Sequence, residues 1–259
     1  MTGLLALVGG REHTPGCEPI DDAVLAACHT ATPVVAVVPL ASSWRTRART
    51  VGLAVAWWER RGARVLVAPP DPDRAARVLA AADVVVLPGG TPDRLHRNLA
   101  SSAMGALVLT RWRAGAALVG SSSGAMVLGD WRQSVVPPFR VDEGFGELHH
   151  VAVAPHHDLA VPRTVAALRS RTHPHAIIVG IDEATALVGR DGRFTVFGVG
   201  GVTVRRGTWQ QRWSAGERLD LQQLAPVAVT VPGTAPPPRA ARHATVGSPA
   251  AGRSHVAHR

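Results

Sequence analysis

A run of small residues near the middle of the chain has the composition of a nucleophile turn. The run follows an apolar segment, precedes a helical pattern and reads Gly120-Ser121-Ser122-Ser123-Gly124-Ala125. In a tight strand–turn–helix of this kind, the side chain at the apex is exposed at the carboxyl edge of the sheet, where it can act as a nucleophile. The alternative is a plain strand-to-helix turn in which a serine caps the helix.

Two further turns carry residue types that could complete such a site. Gly89 and Gly90 end an apolar segment, and backbone N–H groups in a close glycine turn can stabilise an oxyanion. His156, His157 and Asp158 end a later apolar segment and offer a histidine as general base for a serine. The alternatives are a simple glycine turn and an exposed polar turn.

Pairs of histidines raise the question of a metal site. His156 with His157, and His149 with His150, are adjacent in sequence, so on a strand the two rings would point to opposite faces. The chain has neither an HExxH motif nor the Cys/His spacing of a zinc site. We therefore expect no metal. The Gly-x-Gly-Gly at 198–201 is not followed by a helical pattern, so it is no dinucleotide-binding motif, and we expect no organic cofactor.

The elements that must position these turns alternate regularly. Short segments rich in valine and leucine are separated by longer helical patterns, which is typical of parallel βαβ units covered on both faces. The predicted strands are 4–10, 34–40, 64–70, 83–90, 117–123, 151–157 and 177–183, and the predicted helices are 18–30, 44–61, 71–82, 91–99 and 101–114. Asp71 is the predicted N-cap of its helix. Antiparallel hairpin strands are expected over 186–207. The prediction is an α/β fold with three αβα layers and a mostly parallel sheet.

Charge and composition narrow the classes of partner. The formal net charge is +9, and all 28 basic residues are arginine. They form no basic stripe interleaved with aromatic residues, so we expect no specific nucleic-acid binding. Residues 225–259 contain four arginines and no acid and are rich in proline and alanine. This composition predicts a disordered tail after one α/β domain over 1–224.

Compartment and membrane association follow from the same composition. No segment of about 18 or more residues is apolar enough to span a bilayer, so no membrane association is expected. The N-terminal segment lacks the basic stretch of a signal peptide and fits a first strand. Two cysteines, Cys17 and Cys28, are too few to stabilise a fold of 259 residues by disulfide bonds. This favours reduced thiols and a cytoplasmic location.

The order of the three turns, followed by a segment GIDEATAL at 180–187, resembles the serine peptidases related to dipeptidase E and cyanophycinase. That family shares the class I glutamine-amidotransferase-like fold. Its elbow usually reads G-[TSW]-S-A-G-A, and its oxyanion strand ends in G-G-x-x-x-x-L, which here is Gly89, Gly90 and Leu95. The resemblance spans residues 3–208.

The resemblance implies roles by position. Ser122 would be the nucleophile and His156 the general base. The oxyanion would be held by the backbone N–H of Ser123 and of Gly90, or of Gly89 in its place. Ser123 replaces the family's usual alanine. His157 stands where the family usually has phenylalanine.

The acid that would orient His156 is left open. The family places it on the loop between the elbow and the histidine strand, where Glu143 is our first choice and Asp142 its neighbour. Asp130 would lie about 12 Å further along the helix that follows the elbow, which makes it a poor partner. Asp182 and Glu183 end a strand at the same edge, where they either hold local backbone or contribute to the site.

The resemblance implies a serine-type exopeptidase that acylates Ser122 and cleaves small peptides or Asp-linked peptide bonds. One alternative is a catalytically silent relative that binds a small molecule or partner at the same sheet edge. Another is a basic binding module that acts through the arginine-rich tail, which a tail-deleted protein with full activity would exclude. The oligomeric state, a homodimer included, is not fixed by these observations.

Overall fold

A computed structural model describes residues 2–134 and 140–224 of the chain. Its strands are β1 (Leu5–Val8), β2 (Val34–Val37), β3 (Arg64–Val67), β4 (Val84–Leu87), β5 (Ala117–Ser121), β6 (Gly129–Gln133), β7 (Val141–Glu143), β8 (Leu148–Ala154), β9 (Ile177–Ile181), β10 (Thr185–Arg190), β11 (Arg193–Gly198), β12 (Gly201–Arg206), β13 (Trp209–Ser214) and β14 (Arg218–Asp220). Its helices are α1 (Glu18–Ala26), α2 (Trp44–Glu59), α3 (Pro72–Ala80), α4 (Pro92–Ala100), α5 (Met104–Arg113), α6 (Ser123–Met126), α7 (Ala160–Thr172) and α8 (Leu221–Leu224).

The larger sheet has the strand order β14-β11-β10-β1-β5-β4-β2-β3. The strands from β1 to β3 in this order pair in parallel, whereas β10, β11 and β14 add antiparallel strands at one side. Strands β1, β4 and β5 are buried along their whole length, as expected for apolar strands at the centre of a parallel sheet.

Side chains of the larger sheet alternate between two cores. In β1, Leu5 and Leu7 pack on one side, and Ala6 and Val8 pack on the other. Helices α1 and α2 cover the second side, and α3, α4 and α5 cover the first. The predicted αβα layering is therefore confirmed. The N-cap of α3 is also as predicted, because the side chain of Asp71 accepts a hydrogen bond from the N–H of Arg74.

A second sheet was not predicted as a separate unit. It has the order β13-β12-β9-β8-β6-β7, in which β6, β8 and β9 are parallel. Alternate residues of β8 and β9, such as Val151 and Val179, pack onto the core that α3, α4 and α5 also cover. Helix α7 covers the opposite face through Ala166, which packs with Ile178. The expected C-terminal hairpin is thus divided between the sheets, with β10 and β11 in the larger one and β12 and β13 in the smaller.

The helix after the elbow is much shorter than expected. α6 ends at Met126, and the chain then enters β6 at Gly129. The carbonyls of Val127 and Leu128 accept hydrogen bonds from the N–H groups of Phe145 and Leu148, so they are used in pairing between segments. Asp130 therefore lies in a strand of the second sheet, and its expected position along a helix is wrong.

Two further expectations concern membrane-spanning helices and the C-terminal tail. Within the residues that the structure describes, no helix is both long and apolar enough to cross a bilayer. The disordered tail predicted for 225–259 lies outside the described residues.

Helices α1 and α2 enclose a buried carboxyl group. The indole Nε1 of Trp57 donates a hydrogen bond of 2.7 Å to Asp21, and the guanidinium of Arg61 lies 3.8 Å from the indole ring centroid. Burial raises the pKa of Asp21 from 3.8 to about 7, against the opposing effect of the indole hydrogen bond. The folded protein therefore favours the protonated carboxyl, and its stability falls as pH rises from 3.8 towards 7.

We expect Asp21→Asn to relieve this cost, because an asparagine oxygen still accepts from Trp57 and carries no charge. The variant should unfold at a Tm about 4 °C above wild type at pH 8, and the difference should shrink towards pH 4.5. Thermal unfolding at both pH values measures this, with Glu59→Gln at an exposed carboxylate of α2 as the control. An Asp21→Asn effect of equal size at both pH values would contradict the assignment.

Candidate active site

The end of β1 holds the segments that carry the sequence-predicted serine and histidine. The N–H of Ser122 donates to the carbonyl of Val8 at 2.9 Å, and the N–H of His156 donates to the carbonyl of Gly9 at 2.8 Å. Ser122 follows β5 of the larger sheet, whereas His156 follows β8 of the smaller one. The carboxyl ends of parallel strands from both sheets therefore meet at one edge, where α/β proteins commonly bind ligands.

Ser122 lies at the apex of a strained turn. Its φ of 49° and ψ of −108° place a non-glycine residue in the positive-φ region, as in a nucleophile elbow. The following turn packs closely on the neighbouring strand, because a Cβ at Gly124 would lie 2.2 Å from the carbonyl oxygen of Leu87. Glycine is required there by the lack of space for any side chain.

Three side chains form a continuous hydrogen-bonded chain at this edge. Ser122 Oγ lies 3.0 Å from His156 Nε2, and His156 Nδ1 lies 2.9 Å from Glu183 Oε1. When His156 carries its proton on Nδ1, that proton is donated to Glu183 and Nε2 is free to accept from the serine hydroxyl. The side chains of His156 and Glu183 are 31% and 22% exposed, so the pair is partly shielded and still accessible from solvent.

Backbone and charge contacts fix Glu183 in place. Its N–H donates to Asp158 Oδ1 at 2.9 Å, and its second carboxylate oxygen lies 3.8 Å from the guanidinium of Arg11. Strands β8 and β9 pair in parallel, so the residues that follow their carboxyl ends are neighbours. This register brings His156 and Glu183 together.

The structure places Glu183 on His156, and this replaces the expectation for Glu143, Asp142 or Asp130. Glu143 lies in β7, where it pairs in register with β6. The carboxylate of Asp142 forms ion pairs with arginines of the second sheet, and that of Asp130 accepts from the N–H of His150. Strands β6 and β7 are incorporated into the second sheet, where the carboxylates of Asp130 and Asp142 have partners of their own.

Asp182 directly precedes Glu183, and His157 directly follows His156. The side chains of Asp182 and His157 contact the second sheet. Asp182 Oδ2 accepts from the N–H of Gly201 at 3.0 Å and pairs with Arg212. The ring of His157 is buried against Gly180. Burial lowers the pKa of His157 to about 4, so the ring is uncharged at neutral pH and can replace the usual phenylalanine of the family.

The glycine turn after β4 shows which N–H groups remain for an oxyanion. The N–H of Gly89 donates to Glu12 Oε1 at 2.6 Å, so this group is already used. Among the described residues, no acceptor is found for the N–H of Gly90 or of Ser123. Gly90 and Ser123 are therefore the two donors that fit the predicted role, and Gly89 is not.

Two features of this region were not predicted. Glu12, in the loop after β1, also accepts a hydrogen bond of 2.6 Å from the hydroxyl of Ser121. The hydroxyl of Ser123 is buried and, in the described part of the chain, has no hydrogen-bond partner. Its position accommodates the alanine that the family usually has there.

Over 2–134 and 140–224, no group of three or more histidine, cysteine or acidic side chains is arranged to bind a metal ion. The described residues around Ser122 thus offer acid–base groups and backbone donors.

The identity of the orienting acid can be tested by paired variants. Glu183→Gln removes the charge that favours the Nδ1–H form and a protonated ring, so the rate at which a fluorophosphonate labels Ser122 should fall by about 10²- to 10⁴-fold. Glu143→Gln should leave the labelling rate unchanged. Equal rates for Glu183→Gln and wild type, or a large loss for Glu143→Gln, would contradict the placement of Glu183.

Two solved peptidase structures are similar to this chain. The chain is similar in structure to a peptidase from an acI-B1 Actinobacterium, with a TM-score of 0.73 and 26% identity over 85% of this chain and 97% of the other. It also shares its fold with a peptidase E-like protein from Listeria monocytogenes EGD-e, with a TM-score of 0.61 and 15% identity over 77% of this chain and 100% of the other. No curated protein matched the sequence.

The family comparison covers every segment of the site. The family model of peptidase family S51 matches residues 4–197, which include Glu12, Gly90, Ser122, His156 and Glu183. A match over this much of the sequence establishes membership. The chain belongs to peptidase family S51.

Proposed function

We propose that the protein is a serine peptidase in which Ser122 is the nucleophile, His156 the general base and Glu183 the acid that orients the histidine. The observation that carries this proposal is the continuous chain from Ser122 Oγ to His156 to Glu183, with distances of 3.0 and 2.9 Å. A serine hydroxyl is a weak nucleophile by itself, and an adjacent oriented base is what activates it.

Each step then follows from the position of these groups. His156 Nε2 takes the hydroxyl proton as Ser122 Oγ attacks the peptide carbonyl carbon, and the N–H groups of Gly90 and Ser123 stabilise the resulting oxyanion. Protonated His156, stabilised by Glu183, donates that proton to the leaving amine as the C–N bond breaks. His156 next removes a proton from water, which attacks the acyl–serine ester. The carboxylic acid leaves and Ser122 regains its proton.

We further propose that the substrates are small peptides with a carboxylate near the scissile bond, as the dipeptidase E and cyanophycinase branches of the family imply. A cavity of about 450 Å³ lies next to the site, and its wall includes the chain neighbours of His156 and Glu183 but not Ser122, His156 or Glu183 themselves. That wall carries Arg163, Arg205 and Arg212 together with Asp158 and Asp182. Arg212 is already paired with Asp182, so Arg163 and Arg205 are the cations that remain for a substrate carboxylate. Guanidinium groups bind carboxylates through charge-assisted hydrogen bonds.

The first experiment is labelling with a small fluorophosphonate followed by mass mapping. We expect the label on Ser122 in folded wild-type protein and no label there in Ser122→Ala. Heat-unfolded wild-type protein is the control, because the activated hydroxyl depends on the folded site.

Dipeptides with Asp at either position, each paired with the Asn analogue, test the substrate class. Cleavage that favours the Asp member, with Ser122→Ala inactive, supports the proposal. Labelling without any preference for Asp would overturn the substrate class and leave the activated serine standing. Protein that neither labels nor cleaves would instead favour a silent family member that binds a ligand at the same edge.

A further inference from the structure

We infer that Glu12 is a positioning residue that sets the geometry of the oxyanion donors relative to Ser122. The inference rests on the proposed function of Ser122 as nucleophile. One oxygen of the Glu12 carboxylate accepts from the N–H of Gly89, and the other accepts from the hydroxyl of Ser121, each at 2.6 Å. These two partners immediately precede Gly90 and Ser122 in the chain.

The carboxylate therefore braces the ends of two strands. Gly89 follows β4 and Ser121 ends β5, so a single side chain from the β1 loop fixes the separation of the glycine turn and the elbow. Hydrogen bonds to a charged acceptor are shorter and stronger than those between neutral groups. The N–H groups that would hold the oxyanion lie one residue beyond Gly89 and one residue beyond Ser122.

The brace fits tightly against the nucleophile. A Cβ built on Gly89 would lie 2.9 Å from Glu12 Oε1 and 3.3 Å from the Cβ of Ser122. Glu12, the glycine turn and the elbow are thus in mutual contact.

The loop that carries Glu12 is itself held in an unusual conformation. Arg11 and His13, on either side of Glu12, have φ values of 55° and 61°, a conformation that persists only where surrounding contacts enforce it. The ring of His13 lies 6.4 Å from the rings of both Trp57 and Trp58. Burial lowers the pKa of His13 to about 4, so the ring that packs against the two tryptophans is uncharged at neutral pH.

Two variants of Glu12 separate bracing from charge. Glu12→Ala removes both hydrogen bonds, and we expect the rate of Ser122 labelling and kcat to fall by about 100-fold, with KM within about 3-fold of wild type. Glu12→Gln keeps an oxygen for the Gly89 N–H and offers its amide N–H to Ser121. It should therefore restore both rates to within about 5-fold of wild type.

Labelling separates this effect from a loss of folded protein. The final extent of labelling counts folded sites, whereas the rate constant reports the geometry of each site. Glu18→Gln is the matched control, because Glu18 accepts from the N–H of Gly16 at 2.6 Å in the same loop region and should leave the rate at the wild-type value.

Ser121→Ala offers a second route to the same answer if Glu12→Ala fails to fold. It removes one of the two bonds and should slow labelling by less than Glu12→Ala does. The double variant should be no slower than Glu12→Ala alone, because both changes break the same brace.

Three results would overturn the inference. Glu12→Ala with a rate equal to or above wild type would mean that Glu12 has no positioning role or obstructs the site. Glu12→Gln as slow as Glu12→Ala, with a raised KM, would mean that the charge contacts the substrate. Wild-type protein that neither labels nor cleaves would remove the proposed function together with this inference, whereas the first two results leave the proposed function intact.

Discussion

The site depends on the backbone at the end of β1, because this short segment contacts every part of the proposed catalytic chain. Carbonyl groups of Val8 and Gly9 accept from the N–H groups of Ser122 and His156, and the carbonyl of Gly10 accepts from the residue after Glu183. Gly10 has a φ of 124°, and a Cβ there would lie 2.2 Å from the ring of His156. The serine, the histidine and the acid are therefore all fixed relative to one piece of chain, which has no room for a side chain at Gly10.

The two sheets contribute different parts of the site. The larger sheet carries Ser122 and the glycine turn on adjacent parallel strands, whereas the smaller sheet carries His156 and Glu183 on another adjacent pair. Each pair is set by parallel register within its own sheet. At the site the two pairs are joined by the hydrogen bonds at the end of β1, and away from it the two sheets share a hydrophobic core. The base and the acid thus follow strands of one sheet, and the nucleophile follows a strand of the other.

Much of this arrangement could be predicted from the sequence, because buried parallel strands have continuous apolar runs and their ends are marked by glycine or polar turns. The elbow at Ser122, the turn at Gly90 and the strand end at His156 all have such local signals. Glu183 could not be chosen as the partner of His156 from the sequence, because that choice depends on which strands pair. Strands β6 and β7 are short and polar, so the sequence pattern did not reveal that Asp130, Asp142 and Glu143 lie in strands of a second sheet.

Glu12 was missed for a related reason. Its role depends on contacts with Gly89 and Ser121, which are distant in sequence, and a single carboxylate in a loop has no motif of its own. Its position two residues after the strand-ending pair Gly9 and Gly10 was the only local signal available. Residues of this kind are found from the folded geometry, because hydrogen bonding across the sheet edge is what gives them a function.

The most direct test of the whole account is a crystal structure of the protein with Ser122 phosphonylated by a fluorophosphonate. We predict that the phosphonyl oxygen accepts from the N–H groups of Gly90 and Ser123, while Glu12 still bridges Gly89 and Ser121. His156 should remain hydrogen-bonded to Glu183. A phosphonyl oxygen bound to the N–H of Gly89 with Glu12 displaced, or a His156 ring turned away from Glu183, would contradict the account.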